Sequence, residues 1–204
     1  MAYLIAIAAA YLIGSIPFGF LVGKMRGVDV RTVGSKNIGA TNVFRTVGRK
    51  WGLLAFALDF LKGFIPTFLA LRYARASGDA SLACLPLATG VACVAGHMFT
   101  CFMKFKGGKG IATGFGMLVG LLPWLVLTAF GIWAVTVWLS HYISLGSCVA
   151  AAFLAVAVWF PWLGSAGVRN LPLSLVVTLV ALVAIYKHKA NIRRLIDGCE
   201  NRIY

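Results

Sequence analysis

GIATGFGMLVGLLPWLVLTAFGIWAVTVWLSHYISLGSCVAAAFLAVAVWFPWLGSAGV, residues 110–168, runs for 59 residues without one Asp, Glu, Lys or Arg. A helix needs about 20 apolar residues to cross about 30 Å of hydrocarbon. The stretch is therefore too long for one crossing and too apolar for an aqueous loop. Three crossings fit it, with Pro123 and the polar run Ser140-His141-Tyr142-Ile143-Ser144 marking the turns. Shared three ways the length is tight, which leaves room for one crossing to be short, tilted or partly re-entrant.

Four further apolar runs lie outside it: residues 3–22, 51–71, 82–103 and 171–186. Together they predict an all-α, polytopic membrane protein of about seven transmembrane helices in a single domain, 1–204. The chain is 61% hydrophobic and 12% charged, with a mean hydropathy of +0.91. A soluble domain is about 25% charged. No linker, low-complexity segment or internal inverted repeat stands out.

Charge sets the orientation. Basic residues gather in cytoplasmic loops, and here they gather at residues 24–50, at 104–109 and in the tail from Lys187 to Arg202. These three segments go inside, which places the N-terminus outside, the C-terminus inside, the turn near Arg169 outside and Ser144 on the cytoplasmic side. Basic residues follow the first apolar run rather than precede it, the reverse of a cleaved signal peptide, so it reads as a retained span. The net charge of +14 fits anionic headgroups or anionic substrates; in so apolar a chain no nucleic-acid partner is expected. The five cysteines (Cys84, Cys93, Cys101, Cys148 and Cys199) form no C-x-x-C pair and read as small apolar residues.

Three polar constellations sit on the inside. The first is Gly34-Ser35-Lys36-Asn37-Ile38-Gly39-Ala40-Thr41-Asn42, followed by Arg45. Glycines permit sharp turns, and hydroxyls, amides and free N–H groups donate to phosphate oxygens; the stretch also reads as an ordinary polar connector. The second is Lys104-Phe105-Lys106-Gly107-Gly108-Lys109-Gly110 opening a helix at Ile111, a pattern that binds anions through helix-end N–H groups. It lacks the G-x-x-x-x-G-K-[ST] order of a nucleotide-hydrolysing loop. A plain positive-inside anchor is the alternative, although an anchor has no need of the glycines. The third is the tail, His188 to Glu200, where Ile192, Leu195, Ile196, Cys199 and Ile203 recur at helical spacing and predict an amphipathic interfacial helix. Simple headgroup binding is its other reading. Inside the membrane, Asp59 and Lys62 stand at i and i+3, a spacing that suits a structural ion pair. His97, at the inner end of the third span, reads as a satisfied polar contact.

Taken together and in this order, these segments resemble the signatures of the bacterial acyl-phosphate:glycerol-3-phosphate acyltransferases. The carriers are Gly34 to Asn42; Gly96-His97-Met98-Phe99 with Phe105-Lys106-Gly107-Gly108-Lys109-Gly110; Tyr142-Ile143-Ser144-Leu145; and His188-Lys189-Ala190-Asn191-Ile192-Arg193-Arg194-Leu195 with Gly198 and Glu200. One position departs: Thr100 stands where the family commonly has proline. The resemblance implies a multi-pass enzyme of the bacterial inner membrane, with its active site on the cytoplasmic side. It would move a fatty acyl group from acyl phosphate to the sn-1 hydroxyl of glycerol 3-phosphate, the first acylation of phospholipid biosynthesis, without metal or cofactor. A soluble enzyme supplying acyl phosphate would be a partner.

By the same resemblance Ser35, Arg45, Lys106, His188 and Asn191 are the catalytic set. The first three, with Lys104, hold the glycerol phosphate, and the last two orient the glycerol. Thr41, Ser144 and the backbone of Gly107, Gly108, Lys109 and Gly110 cradle the acyl phosphate. Lys36, Asn37, Asn42 and Glu200 complete the substrate-binding set. The alternative from another class is a phosphate or organic-anion transporter, which should instead carry polar groups near the midplane on broken helices.

Overall fold

The computed structural model describes residues 1–160 and 171–203, and every regular element among them is helical. The ten α-helices are α1 (Ala2–Ser15), α2 (Phe18–Met25), α3 (Ala40–Thr46), α4 (Arg49–Ser77), α5 (Leu85–Met98), α6 (Ile111–Leu121), α7 (Pro123–Ser140), α8 (Ile143–Ala157), α9 (Leu171–Lys187) and α10 (Lys189–Ile196). Short 3₁₀ turns cover Ala80–Leu82 and Cys101–Met103.

The helices are apolar on the outside and small or polar within. Leu53, Leu69, Trp138 and Leu179 are exposed, whereas Ser15, Thr67, Thr113, Ser144 and Ser174 are buried. A soluble helix shows the opposite sidedness. In lipid, small and hydroxyl-bearing residues instead let helices approach closely. A Cβ added at Gly14 would collide with the Cys93 backbone, and one at Gly116 with the Phe60 backbone. These are the close approaches of α1 to α5 and of α4 to α6.

Among the described residues, four stretches are long and apolar enough to cross a membrane: Ala2–Met25, Arg49–Ser77, Ala80–Met103 and Pro123–Ser140. The pair α9 and α10, bent by 53°, makes a fifth if taken as one span. Among the described residues the uncharged stretch contains α6, α7 and α8, of which only α7 is long enough to cross; α6 and α8 have 11 and 15 residues. The breaks fall where the sequence expects them. Pro123 opens α7 because it needs no N–H at a first turn, and His141, at φ +63°, closes it in the left-handed region. The expected outer turn near Arg169 lies outside the described residues.

The first apolar run is broken rather than continuous. Pro17 supplies no N–H, and α1 ends at Ser15. The carbonyls left over are capped from elsewhere: Thr100 donates its hydroxyl to the Ser15 carbonyl at 2.5 Å, and Lys62 donates from Nζ to the Ile16 carbonyl at 2.7 Å. Thr100, in place of a proline, thus holds two partners, since its Oγ also accepts from the Phe102 N–H.

The tail corrects one expectation. The amphipathic helix ends at Ile196, so Cys199 and Ile203 lie beyond it. Gly198 turns the chain at φ +70°, and the Ile203 N–H donates to the His141 carbonyl at 2.9 Å. The described residues fall into two compact units, Met1–Leu121 and Leu122–Tyr204.

Candidate active site

In the first unit, the loop after α2 folds over an apolar cluster of Val22, Val30, Ile38, Val43 and Ala55. Asn42, buried on α3, ties that loop down. Its amide donates to the Val30 and Val33 carbonyls at 2.8 and 3.2 Å, and its Oδ1 accepts the Ser35 N–H at 2.9 Å. Asn42, expected among the ligand contacts, has both ends of its amide engaged by the loop and fixes the Ser35 backbone. Asn37 similarly accepts the Gly39 N–H at 2.8 Å. Thr41 and Arg45 lie one turn apart on α3, both half-buried.

A cavity of about 430 Å³ opens beside this loop, lined by Arg31, Lys36, Asn37, Phe102, Lys104, Lys106 and Gly107 among others. Ligand clefts are commonly of this size. Lys36, Lys104 and Lys106 are exposed, and no carboxylate among the described residues lies within ion-pair distance of them. Three of the four non-glycine residues with positive φ among the described residues lie in these two loops: Lys36, Lys104 and Phe105. Such backbone is uncommon for L-residues and concentrates at functional sites.

Arg31 is the cavity residue that motif reading missed. It is clamped by Asp29, with Nε at 2.9 Å from Oδ1 and the terminal nitrogen at 2.6 Å from Oδ2, and it lies over the Phe20 ring at 4.5 Å. The side-chain bonds from Arg31, helped by its backbone N–H, hold the Asp29 carboxyl at about 2. The Asp-x-Arg spacing was the available signal, but it disappears into a generally basic loop.

The glycine turn differs in detail from expectation. Gly107 and Gly108 donate their N–H groups to the Met98 and His97 carbonyls at 3.1 and 3.0 Å. Those two amides hold the turn on the end of α5 and are not offered to an anion. The N–H groups of the first turn of α6, which have no carbonyl four residues back to bond within the helix, follow directly after Gly110.

In the second unit the site is built on one carboxylate. Glu200 is buried; its Oε1 accepts from Asn191 Nδ2 at 2.7 Å and from Ser144 Oγ at 3.0 Å, and its Oε2 from Arg194 Nε at 2.7 Å. Burial on its own raises this carboxyl, but the bonds from Asn191, Arg194 and Ser144 outweigh it and hold Glu200 below the ordinary glutamate value. His188, at the bend between α9 and α10, sits with Nδ1 2.8 Å from the Ala184 carbonyl. A carbonyl only accepts, so Nδ1 carries hydrogen, and in the neutral ring the lone pair is on Nε2.

The comparisons with known proteins agree with one another. A family model described as glycerol-3-phosphate acyltransferase matches residues 4–198. The glycerol-3-phosphate acyltransferase of Trichlorobacter lovleyi is 45% identical over 96% of this chain and 95% of its own length. That of Aquifex aeolicus is 43% identical over 99% of this chain and 100% of its own. Among solved structures, PlsY (YgiH), an integral membrane glycerol 3-phosphate acyltransferase, in its glycerol 3-phosphate form is 39% identical with a TM-score of 0.86, covering 99% of this chain and 96% of that one. Its lysophosphatidic acid form gives 38% and 0.83, covering 99% and 95%. Motif order, an all-helical apolar fold and a cation-lined cavity thus converge with full-length similarity: this chain is a membrane-embedded acyltransferase and belongs to the glycerol-3-phosphate acyltransferase family.

Proposed function

We propose that this enzyme transfers a fatty acyl group from acyl phosphate to the sn-1 hydroxyl of glycerol 3-phosphate, releasing lysophosphatidate and inorganic phosphate. The observation that carries the reading is the cavity lined by Arg31, Lys36, Lys104 and Lys106 with no carboxylate paired to its lysines among the described residues. A site so charged is completed by a phosphate-bearing substrate. The bound species in the two PlsY structures, glycerol 3-phosphate and lysophosphatidic acid, supply the acceptor and the product of this reaction.

In this reading Ser35, Arg45, Lys104 and Lys106 hold the glycerol phosphate, and Lys36 and Asn37 shape the same pocket. His188 and Asn191 orient the glycerol, with Glu200 fixing the Asn191 amide. Thr41, Ser144, Lys109 and the start of α6 at Gly110 face the acyl phosphate, whose chain lies in lipid. The seven crossings with the N-terminus outside, the inner-membrane location and the cytoplasmic site belong to the same proposal, supported by the placement of the basic loops.

The chemistry needs little from the side chains. The glycerol hydroxyl oxygen attacks the acyl carbonyl carbon, the bond to the phosphate oxygen breaks, and phosphate leaves with the electron pair. Acyl phosphate brings its own leaving group, so orientation supplies much of the rest, about 7–11 kcal/mol in well-aligned cases. Donors at the carbonyl oxygen add more. The hydroxyl proton goes to His188 Nε2 or to a substrate phosphate oxygen. Replacing His188 by Gln separates the two: near-normal kcat removes the base role, and a raised KM alone leaves an orienting one. The reaction itself is tested with purified enzyme in lipid, given glycerol 3-phosphate and palmitoyl phosphate, palmitoyl-CoA or palmitoyl carrier protein. Turnover with the acyl phosphate alone supports the proposal, and turnover with a thioester alone overturns it. Product from no donor, in folded protein, would return the argument to anion transport.

A further inference from the structure

Asp59 and Lys62 on α4 and His97 on α5 are buried in the first unit and have no part in the chemistry above. Charged groups at membrane depth are costly and are kept where they do something. Lys62 is accounted for by its neighbours. Its Nζ lies 2.7 Å from Asp59 Oδ1 and caps the Ile16 carbonyl left bare by the break before Pro17. Asp59 and His97 are not explained by helix packing alone. His97 Nδ1 is 3.6 Å from Asp59 Oδ1, and the other edge of the ring stands directly beneath the glycine turn. A Cβ built on Gly108 would collide with His97 Nε2, and one on Gly107 with the His97 carbonyl oxygen. The same carbonyl accepts the Gly108 N–H at 3.0 Å, and the next one, of Met98, accepts the Gly107 N–H at 3.1 Å.

We infer that Asp59 and His97 are positioning residues for the acyl transfer: Asp59 orients the His97 ring, and His97 sets the height of the Gly107-Gly108 turn at the cavity edge. The inference rests on the proposal that Lys104 and Lys106, on the loop that leads into that turn, hold the phosphate of glycerol 3-phosphate. The physical argument is one of leverage. Gly107 lines the cavity together with Lys104 and Lys106, so moving the turn moves the cations beside it. The two edges of an imidazole are of nearly equal shape; the Asp59 carboxylate, 3.6 Å from Nδ1 and so beyond hydrogen-bond reach, favours one of them through its charge. Without the Asp59 charge that preference is lost, and a ring turned about χ2 presents a different edge under Gly108. This also explains why Gly108 must be glycine: the ring occupies the space a side chain would need.

The inference also divides the three residues by role. Lys62 neutralises Asp59 and caps α1, so its loss acts on assembly. Loss of Asp59 or His97 acts on the site. The test uses the full-length enzyme in lipid nanodiscs, with palmitoyl phosphate and glycerol 3-phosphate varied separately and hydrogen exchange read at the Gly107 and Gly108 amides. D59N and H97A are expected to lower kcat/KM for glycerol 3-phosphate by about 10- to 100-fold, the scale of a roughly 1 Å misplacement, chiefly through KM. Exchange at both amides should quicken, and the melting temperature should stay near the wild-type value. H97N keeps a donor towards Asp59 and should recover part of what H97A loses. G108A should fall furthest, and the double variant G108A/H97A, which makes room for the methyl group, should regain activity over G108A.

If D59N does not assemble, H97N and H97A carry the same measurement. Wild-type kinetics and exchange in the His97 variants, or a loss that only follows the folded fraction with both KM values unchanged, overturns the inference. If the wild-type enzyme itself does not use acyl phosphate, it is the reaction that has been misread, and the exchange measurement still decides whether Asp59 and His97 hold the turn.

Discussion

The two units carry their polar residues in opposite electrostatic states. In the first, Lys36, Lys104 and Lys106 stand around a cavity with no acid among the described residues to neutralise them, and Arg31 is the one cavity cation held by a carboxylate. In the second, one buried carboxylate is fully engaged: Glu200 gathers Ser144, Asn191 and Arg194. The first arrangement is incomplete until an anion arrives, and the second is complete without one. Folding favours satisfied groups, so the cations are the part of the molecule that function, rather than stability, maintains. The Glu200 cluster holds Asn191 in one orientation.

This contrast can be broken by experiment. The largest effect is expected at the cavity. Lys106→Met should lower kcat/KM for glycerol 3-phosphate by about 100- to 1000-fold, the scale of removing one preorganised donor, and leave the melting temperature unchanged. Arg49→Met, on the same basic face, should change either little. A melting temperature that falls with Lys106→Met would show that the lysine is structural after all.

Next in size is Glu200→Gln. It leaves Asn191, Arg194 and Ser144 partly unpaired and should destabilise the protein by about 2–3 kcal/mol, visible as a lower melting temperature in detergent, with activity falling as a consequence. Wild-type stability with lost turnover would move Glu200 from support to direct chemistry. A smaller effect belongs to Thr100→Val, which removes the donor to the Ser15 carbonyl and should cost about 1–2 kcal/mol without altering either KM.

The smallest is a pH effect with a fixed sign. Glu200 is held below the ordinary glutamate value when folded, so its contribution is present above the unfolded value of about 4.3 and is lost as pH falls through the lower folded one. A melting-temperature series into the acid range should therefore show a decline that Glu200→Gln flattens. Asp29, held at about 2 by Arg31, should keep its charge through most of that range.

Much of this was legible without a structure. The 59 uncharged residues force several helices, because only a membrane accepts so long an apolar run, and a continuous run without polar alternation satisfies its backbone there as helices rather than as a barrel. Pro123 and the polar run from Ser140 mark the breaks by their local chemistry. The candidate residues Ser35, Lys106, His188 and Glu200 were singled out by motif order. The helix bounds of the tail were not. Helical spacing at Cys199 and Ile203 mimics a continuing helix, and the turn at Gly198 is a single local event that periodicity averages away.

What the sequence alone determined is therefore the solvent, the element type and the set of chemical groups, since each follows from residue type and short-range spacing. Only the tertiary structure decided which of those groups are engaged. That the Gly107 and Gly108 amides bond to α5, that Asn42 serves the loop, that Arg31 reaches the cavity and that Asp59 stands behind His97 all depend on segments distant along the chain. A hydrogen bond or an ion pair is set by a few tenths of an ångström in space, and no spacing along a sequence encodes that distance.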